Sequence, residues 1–208
     1  AASDVYKRQE LIEKEMKDND GFLTSADLKT YSAIRKKPAK FEFLGNKVIT
    51  APPPSTGSLV FSGLRALMNL TEQTDHQELL ARAMLKMFSD RRRGFGNLQG
   101  EGTAHTAESA ETTSLCTLDS EGNAVCLTYS NNNHSGVVIP GTGILMNNQM
   151  ALFSPWPNNP NEVSKGKRPV SSMMPSIILK NNSVKLVLGA SGSTRIPTSL
   201  MQVLYRFF

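Results

Sequence analysis

Apolar residues recur at helical spacing in two stretches of the first half of the chain. Val60, Leu64, Leu67 and Met68 form one stripe, and Leu80, Met84, Met87 and Phe88 form a second. Each predicts an amphipathic helix with one buried face. Thr24-Ser25-Ala26-Asp27 predicts an earlier helix start, with Thr24 as its cap and Asp27 near the first turn. Phe41-Glu42-Phe43 and Val48-Ile49-Thr50 flank Gly45-Asn46 and predict a hairpin. Pro52-Pro53-Pro54 then excludes regular structure. Residues 1–9 carry no readable pattern and need not belong to the fold.

The second half reads differently. Residues 94–111 are rich in Gly, Ala, Thr and Glu, with almost nothing apolar to bury, which predicts a loop or linker. Residues 113–119 and 124–130 read as strands on either side of the turn Ser120-Glu121-Gly122-Asn123. Shorter strands are expected at 137–139, 144–147, 176–180 and 184–188, the last two joined by Asn181-Asn182. The chain then runs through Gly189–Arg195 into a helix with Pro197 near its first turn. Helices thus dominate the first half and antiparallel strands the second. Two packed sheet layers covered by helices accommodate both.

Composition adds bounds rather than detail. The 208 residues, 39% hydrophobic and 20% charged, are ordinary for a globular protein. No apolar run reaches the roughly 18 to 20 residues that span a bilayer. The chain opens at Ala1 without Met and stops at Phe208 inside an apolar helical run, so it is expected to be an internal piece of a longer protein. The net charge of +5 is uneven: residues 112–208 hold seven Lys/Arg against three acids, residues 1–111 sixteen against fifteen. A basic second half suits an anionic small substrate. Nucleic acid is not expected as a partner, because no aromatic-rich sheet motif, zinc motif or basic helix is visible, and Arg91-Arg92-Arg93 reads as a solvated helix end. His76, His105 and His134 are scattered, so neither a metal nor another cofactor is expected. Cys116 and Cys126 fall in adjacent strand runs at a spacing that fits no metal site. They read as buried free thiols or, alternatively, as a disulfide.

Thr112 stands where the polar linker meets a strand. A Thr hydroxyl is a poor nucleophile without a base beside it. At a chain terminus it carries its own, because the free α-amine, with a pKa near 8, accepts the hydroxyl proton. The bond between Glu111 and Thr112 would first have to break, by attack of the Thr112 hydroxyl on the preceding carbonyl. Taken alone, a Thr-Thr pair at a strand start reads as simple β-propensity.

Several blocks in fixed order add to this reading. Thr112-Thr113-Ser114-Leu115-Cys116-Thr117-Leu118-Asp119, followed by Glu121-Gly122-Asn123-Ala124-Val125, resembles the start of the small subunit of the gamma-glutamyltransferase family. Gly143-Ile144-Leu145-Met146-Asn147-Asn148-Gln149-Met150 and Lys167-Arg168-Pro169-Val170-Ser171-Ser172-Met173 resemble two further blocks of that family, and Gly189–Arg195 its Gly-Ser-rich turn. Upstream, Gly21-Phe22-Leu23-Thr24, Pro52-Pro53-Pro54-Ser55 and Asp90-Arg91 resemble the end of its large subunit. The likeness covers about residues 18–206.

The resemblance implies an α+β fold, the four-layer αββα sandwich of N-terminal-nucleophile hydrolases. It divides the chain into residues 1–111, the end of the large subunit with its linker, and residues 112–208, the start of the catalytic small subunit. It implies Thr112 as nucleophile, freed by cleavage after Glu111, with Ser130 supporting it. Asn132 and Gln149 would hold the substrate α-amino end, and Ser171 and Ser172 its α-carboxylate. Backbone N–H groups at Gly192 and Ser193 would form the oxyanion hole. The implied partners are a gamma-glutamyl donor of glutathione type, water or an amine as acceptor, and the two subunits assembled after cleavage. A periplasmic or secreted location follows by the same analogy.

The sequence departs from the family at four places. Leu152 stands where the family has the acid that pairs with the substrate ammonium. Ser193 replaces a Gly of the oxyanion turn, and Ser114 the His after Thr-Thr. The linker before Thr112 and the loop Asn132–Gly136 are both short. The family's Arg clamp for the α-carboxylate is expected upstream of Ala1. These departures keep two alternatives open: an acylase acting on side-chain amides or β-lactam-type substrates, and an unprocessed relative that binds without catalysis.

Overall fold

Alternation along four strands builds the main sheet. The computed structural model describes residues 2–68, 75–95 and 112–208. Strands β1 (Ala39–Phe43) and β2 (Asn46–Thr50) form the expected hairpin. Its tip, Leu44-Gly45, has φ of 47° and 72°, the backbone a two-residue hairpin turn demands. β2 pairs with β7 (Ser176–Lys180) and β7 with β8 (Ser183–Leu188), all antiparallel, giving the order β1-β2-β7-β8. The β7–β8 turn uses Asn181-Asn182, again with both φ positive, at 51° and 61°. Asn tolerates that region because its side chain is short and polar.

One face of this sheet and three helices share a single core. The register aligns Phe41 with Val48, Val48 with Ile178, and Ile178 with Leu186, in a row across the strands. Packed in the same core are Val60, Leu64 and Leu67 of α3 (Gly57–Met68), Leu80 and Met87 of α4 (His76–Phe95), and Leu200, Met201 and Leu204 of α5 (Arg195–Phe207). Full burial of each such side chain contributes about 1.5 to 3 kcal/mol. α5 begins two residues before Pro197, so the missing N–H falls in the first turn, where no helical acceptor is lost. Helix α2 (Ser25–Thr30) opens with the reciprocal cap expected from Thr24 and Asp27.

A second sheet, the hairpin of β3 (Thr112–Leu118) and β4 (Ala124–Ser130), packs against β7 and β8. Its turn is closed by the Asp119 carboxylate, which accepts from the Asn123 side chain and from the backbone N–H groups of Asn123 and Glu121 at 2.8–2.9 Å. Those bonds, the Asn123 ones foremost, hold the carboxyl below its ordinary range. Helices, sheet and second sheet follow one another, while Leu115, Val125, Leu127 and Tyr129 stay exposed on the hairpin. A small third hairpin joins β5 (Val138–Ile139) to β6 (Ile144–Leu145). No described helix is long and apolar enough to cross a membrane.

The structure corrects the sequence reading at several points. Residues 2–18, without a readable pattern at their start, form the helix α1 (Ala2–Asp18). Its Glu, Lys and Gln residues are good helix formers, but among its described side chains Ile12 alone is buried, too little to make a stripe. Met68 is 53% exposed and lies outside the α3 stripe. Arg91 is 1% exposed, while Arg92 and Arg93 face solvent, so the solvated-helix-end reading fails for Arg91. Cys116 is exposed and Cys126 half-buried, both as free thiols. The split into a helical half and a strand half also gives way, because the main sheet takes two strands from each. Residues 96–111, most of the expected linker, lie outside the described residues, with Glu111 and His105 among them.

Gly63 marks the tightest helix contact. A Cβ there would stand 2.6 Å from Met201 Sδ and 3.2 Å from the Ala83 carbonyl oxygen. Gly63→Val in the full-length protein should destabilise by about 1 to 3 kcal/mol through overpacking. Chemical denaturation followed by circular dichroism measures this, and an unchanged midpoint would show that α3, α4 and α5 are not so closely packed.

Candidate active site

Register puts two hydroxyls face to face. Thr112 is the first residue of β3, Ser130 the last of β4, and they are direct cross-strand partners. Strand alternation places both on the half-buried side, with Thr113 and Tyr129 on the exposed side. The Thr112 hydroxyl donates to Ser130 Oγ at 2.9 Å. Ser130 Oγ also accepts the Asn132 N–H at 3.0 Å. That second bond exists because Asn132 turns the chain back at φ 59°, a region Asn enters more easily than most residues.

Two side-chain amides lace this corner to the segment 147–149. Asn132 Nδ2 donates to the Asn148 carbonyl, and Gln149 Nε2 to the Ser130 carbonyl, each at 3.0 Å. The Asn148 N–H donates to the Asn131 carbonyl at 2.9 Å. With those amide nitrogens engaged, the carbonyl oxygens Asn132 Oδ1 and Gln149 Oε1 remain as acceptors. Thr112, Ser130, Asn132 and Gln149 therefore form one hydrogen-bonded cluster. Gln149 opens a 3-10 turn that ends at Leu152. Residues three apart eclipse in that geometry, which puts Leu152 on the Gln149 side.

Ser171 and Ser172 are positioned by other elements, and no hydrogen bond joins them to that cluster. Ser171 pairs with the Pro-rich segment through Ser171 N–H to Pro54 O at 3.0 Å and Thr56 N–H to Ser171 O at 2.9 Å. The Ser55 hydroxyl donates to the Met173 carbonyl at 2.6 Å. Ser172 is 9% exposed, and its Oγ has no hydrogen-bond partner among the described residues. Asn161, fully buried, bridges the two regions. Its Nδ2 donates to the Leu152 carbonyl at 2.7 Å, and its Oδ1 accepts the Val170 N–H at 3.0 Å. Sequence reasoning missed Asn161. The only signal was an Asn within a loop rich in Asn and Pro, where turn chemistry is the ordinary reading.

The turn after β8 supplies backbone donors. Gly192 sits at φ 112° and Ser193 at 55°. The first is glycine territory. The second is the left-handed region, which a serine occupies at some cost. Their carbonyls accept from Arg195 and Ile196 at 3.0 and 3.2 Å, leading into α5. Among the described residues neither the Gly192 nor the Ser193 N–H is taken up. The root of the turn is pressed against the hairpin: a Cβ on Gly189 would fall 2.0 Å from Ser114 Oγ. Only glycine permits that approach, two residues from Thr112 along β3.

The cluster is built from hydroxyls, amides and backbone groups, without a carboxylate. Such groups hold a zwitterion by hydrogen bonding and stabilise developing negative charge with N–H donors. A hydroxyl paired at 2.9 Å to a second hydroxyl is arranged for nucleophilic attack once a base is present.

A family model described as Gamma-glutamyltranspeptidase matches residues 8–101 and 97–208. The chain is 30% identical to the glutathione hydrolase proenzyme of Escherichia coli (strain K12), over 93% of this chain and 42% of that protein. It is 29% identical to the acylase ACY 1 proenzyme of Pseudomonas sp. (strain SE83), over 91% of this chain and 41% of that one. The crystal structure of cephalosporin acylase from Bacillus halodurans matches with a TM-score of 0.81 at 25% identity, covering 96% of this chain and 42% of that chain. This chain thus spans less than half the length of each of these relatives. The helices and antiparallel sheets are those of the N-terminal-nucleophile hydrolase fold that these relatives share. Matched by the family model along nearly all its residues, the chain belongs to the gamma-glutamyltranspeptidase family.

Proposed function

We propose that the protein containing this chain transfers or hydrolyses gamma-glutamyl groups through an ester on Thr112, exposed by self-cleavage after Glu111. The observation that carries this reading is the 2.9 Å bond from Thr112 Oγ1 to Ser130 Oγ at the first residue of β3. In the uncleaved chain the Thr112 hydroxyl attacks the Glu111 carbonyl, the acyl group moves from N to O, and water hydrolyses the ester. The freed α-amine then takes the hydroxyl proton as Oγ1 attacks the donor carbonyl. The N–H groups of Gly192 and Ser193 receive the oxyanion, the amine leaves, and water or an amine resolves the ester. Asn132 Oδ1 and Gln149 Oε1 accept from the donor ammonium, and Ser171 and Ser172 bind its carboxylate. A glutathione-type donor accords with the name of the Escherichia coli relative.

The main sheet supports the two-subunit part of this reading. It takes β1 and β2 from before the cut and β7 and β8 from after it. A break at Glu111–Thr112 would leave that pairing and the shared core intact, so the pieces remain assembled.

Leu152 favours a second reading within the same superfamily. A donor ammonium beside it lacks a countercharge, and a buried charge without its partner costs several kcal/mol, on the order of 3 to 5. Substrates without an α-amino group would lose nothing there. Two of the relatives above are named acylases, and this reading makes the protein an acylase of side-chain amides or β-lactam-type substrates.

Four variants of the full-length protein test these steps. Thr112→Ala should remain one chain, while the wild type yields a fragment whose N-terminal sequence begins at Thr112. Sequencing that begins elsewhere, or an uncut active enzyme, would overturn the processing step. Ser130→Ala should slow both cleavage and turnover roughly tenfold, the size of one hydrogen bond to a reacting group, and Ser130→Thr should restore both. Leu152→Asp should lower KM for a gamma-glutamyl amide and not for a glutaryl amide. If the ratio of kcat/KM between those donors stays the same, residue 152 does not face the ammonium.

A further inference from the structure

The chain has two cysteines, and the hairpin that opens at Thr112 sets them opposite each other. Cys116 and Cys126 are direct cross-strand partners, and their Sγ atoms lie 3.3 Å apart. Opposed residues in an antiparallel pair have Cα atoms about 4.5 or 5.5 Å apart, and both spacings fall within the roughly 4.4 to 6.8 Å that a disulfide bridges. Closing the bond therefore needs side-chain rotation and no backbone movement. The two thiols also differ in environment. Cys116 is exposed. Cys126 is half-buried, its S–H donates to the Leu188 carbonyl at 3.2 Å, and burial with the Cys116 contact pushes its thiol up to about 11.

We propose that Cys116 and Cys126 are a reversible redox pair, oxidised to a cross-strand disulfide by low-molecular-weight disulfides. The exposed Cys116 thiolate attacks one sulfur of the small disulfide, forming a mixed disulfide and expelling one small thiolate. Cys126 then gives its proton to solvent and attacks Cys116 Sγ, forming the protein disulfide and releasing the second small thiol. Two protein thiols are oxidised and one small disulfide is reduced to two thiols. Excess dithiol reverses both steps. Cys126 is the resolving thiol because it is half-buried, while the exposed Cys116 is the one a small disulfide reaches first.

Oxidation has a consequence beyond the hairpin. It removes the S–H that bonds Leu188, and a Cβ on the next residue, Gly189, would lie only 3.4 Å from Cys126 Sγ. Gly189 roots the turn that carries Gly192 and Ser193. The disulfide should thus lower turnover roughly fivefold, the size of one lost neutral hydrogen bond. This consequence rests on the function proposed above, whereas the redox pair itself does not.

The test uses the full-length protein and bis(2-hydroxyethyl) disulfide, a probe with no gamma-glutamyl group. After thiol blocking, a protease that cuts at Glu121 separates the two cysteines, because Glu121 lies between them. Mass spectrometry of the wild type should show the two peptides linked, two hydrogens lighter, and released by dithiothreitol. Cys126→Ser should instead accumulate a stable mixed disulfide on Cys116. Cys116→Ser should stay largely unmodified over the same time, and Cys126→Ala repeats the test if the serine variant does not fold. A wild type that keeps the mixed disulfide as Cys126→Ser does, or that remains unmodified, would overturn the redox pair. Linked peptides with unchanged turnover would overturn only its coupling to the turn. In a protein without gamma-glutamyl activity the peptide readout still decides the pair.

Discussion

The pairing of β2 with β7 is the constraint on which the rest of this structure depends. It joins residues 46–50 to residues 176–180 and places Val48 against Ile178 at the centre of the core. Polar groups fix its end as well as apolar ones: the Ser176 hydroxyl donates to Thr50 Oγ1 at 3.0 Å, and Thr50 Oγ1 donates to the Pro175 carbonyl at 3.2 Å. Both Thr50 and Ser176 are buried, where an unmatched hydroxyl is costly, so a slipped register is penalised twice. From this pairing the chain runs directly to Ser55, and from β7 back to Ser171 and Met173. The Ser55–Ser171 bridge beyond the sheet runs parallel, so it is a separate contact that begins where the antiparallel register ends.

The β3–β4 hairpin depends on a different device, close approach. Gly189 lets the end of β8 press against Ser114, and Cys126 bonds the Leu188 carbonyl. The inner residues of β3 and β4 are accordingly small and polar: Thr112, Ser114 and Cys116 face Ser130, Thr128 and Cys126. Larger apolar side chains on that side would hold the end of β8 away from the hairpin. The bulkier residues, Leu115, Leu127 and Tyr129, take the other side. A strand usually buries its apolar face, and here the face turned to β8 carries hydroxyls and thiols instead.

The bonded cluster of Thr112, Ser130, Asn132 and Gln149 holds no charged side chain, and that shapes what it can recognise. Neutral amides and hydroxyls orient an ammonium and a carboxylate but do not supply a countercharge. Specificity then rests on which donors and acceptors are already engaged. Asn132 and Gln149 each spend one N–H on a backbone carbonyl and keep the other, together with the carbonyl oxygen. Leu152 adds an apolar surface on the same side. Asn161 ties that turn to the segment before Ser171, so the two regions are held at one mutual distance.

Local pattern in the sequence determined the elements. The stripes of α3 and α4, the cap of α2, the Pro197 start of α5, the Asn181-Asn182 turn and the β3–β4 pair follow from local spacing and residue type, while the first hairpin turns at Leu44-Gly45, one position before the Gly45-Asn46 expected. These depend on neighbours within a few positions. Thr112, Ser130, Asn132, Gln149, Ser171, Ser172, Gly192 and Ser193 were legible as candidates through ordered motifs, while pattern by itself left Thr-Thr a plain strand start. Only the tertiary structure decided which of them meet. Thr112, Ser130, Asn132 and Gln149 form one bonded cluster, and Ser171 and Ser172 are set by a bridge to residues 54–56. It also decided the burial of Arg91 and the bridging role of Asn161. None of these is a property of a short window. Burial and hydrogen-bond partnership depend on which distant surface arrives, and strand register alone brings residues more than a hundred positions apart into contact.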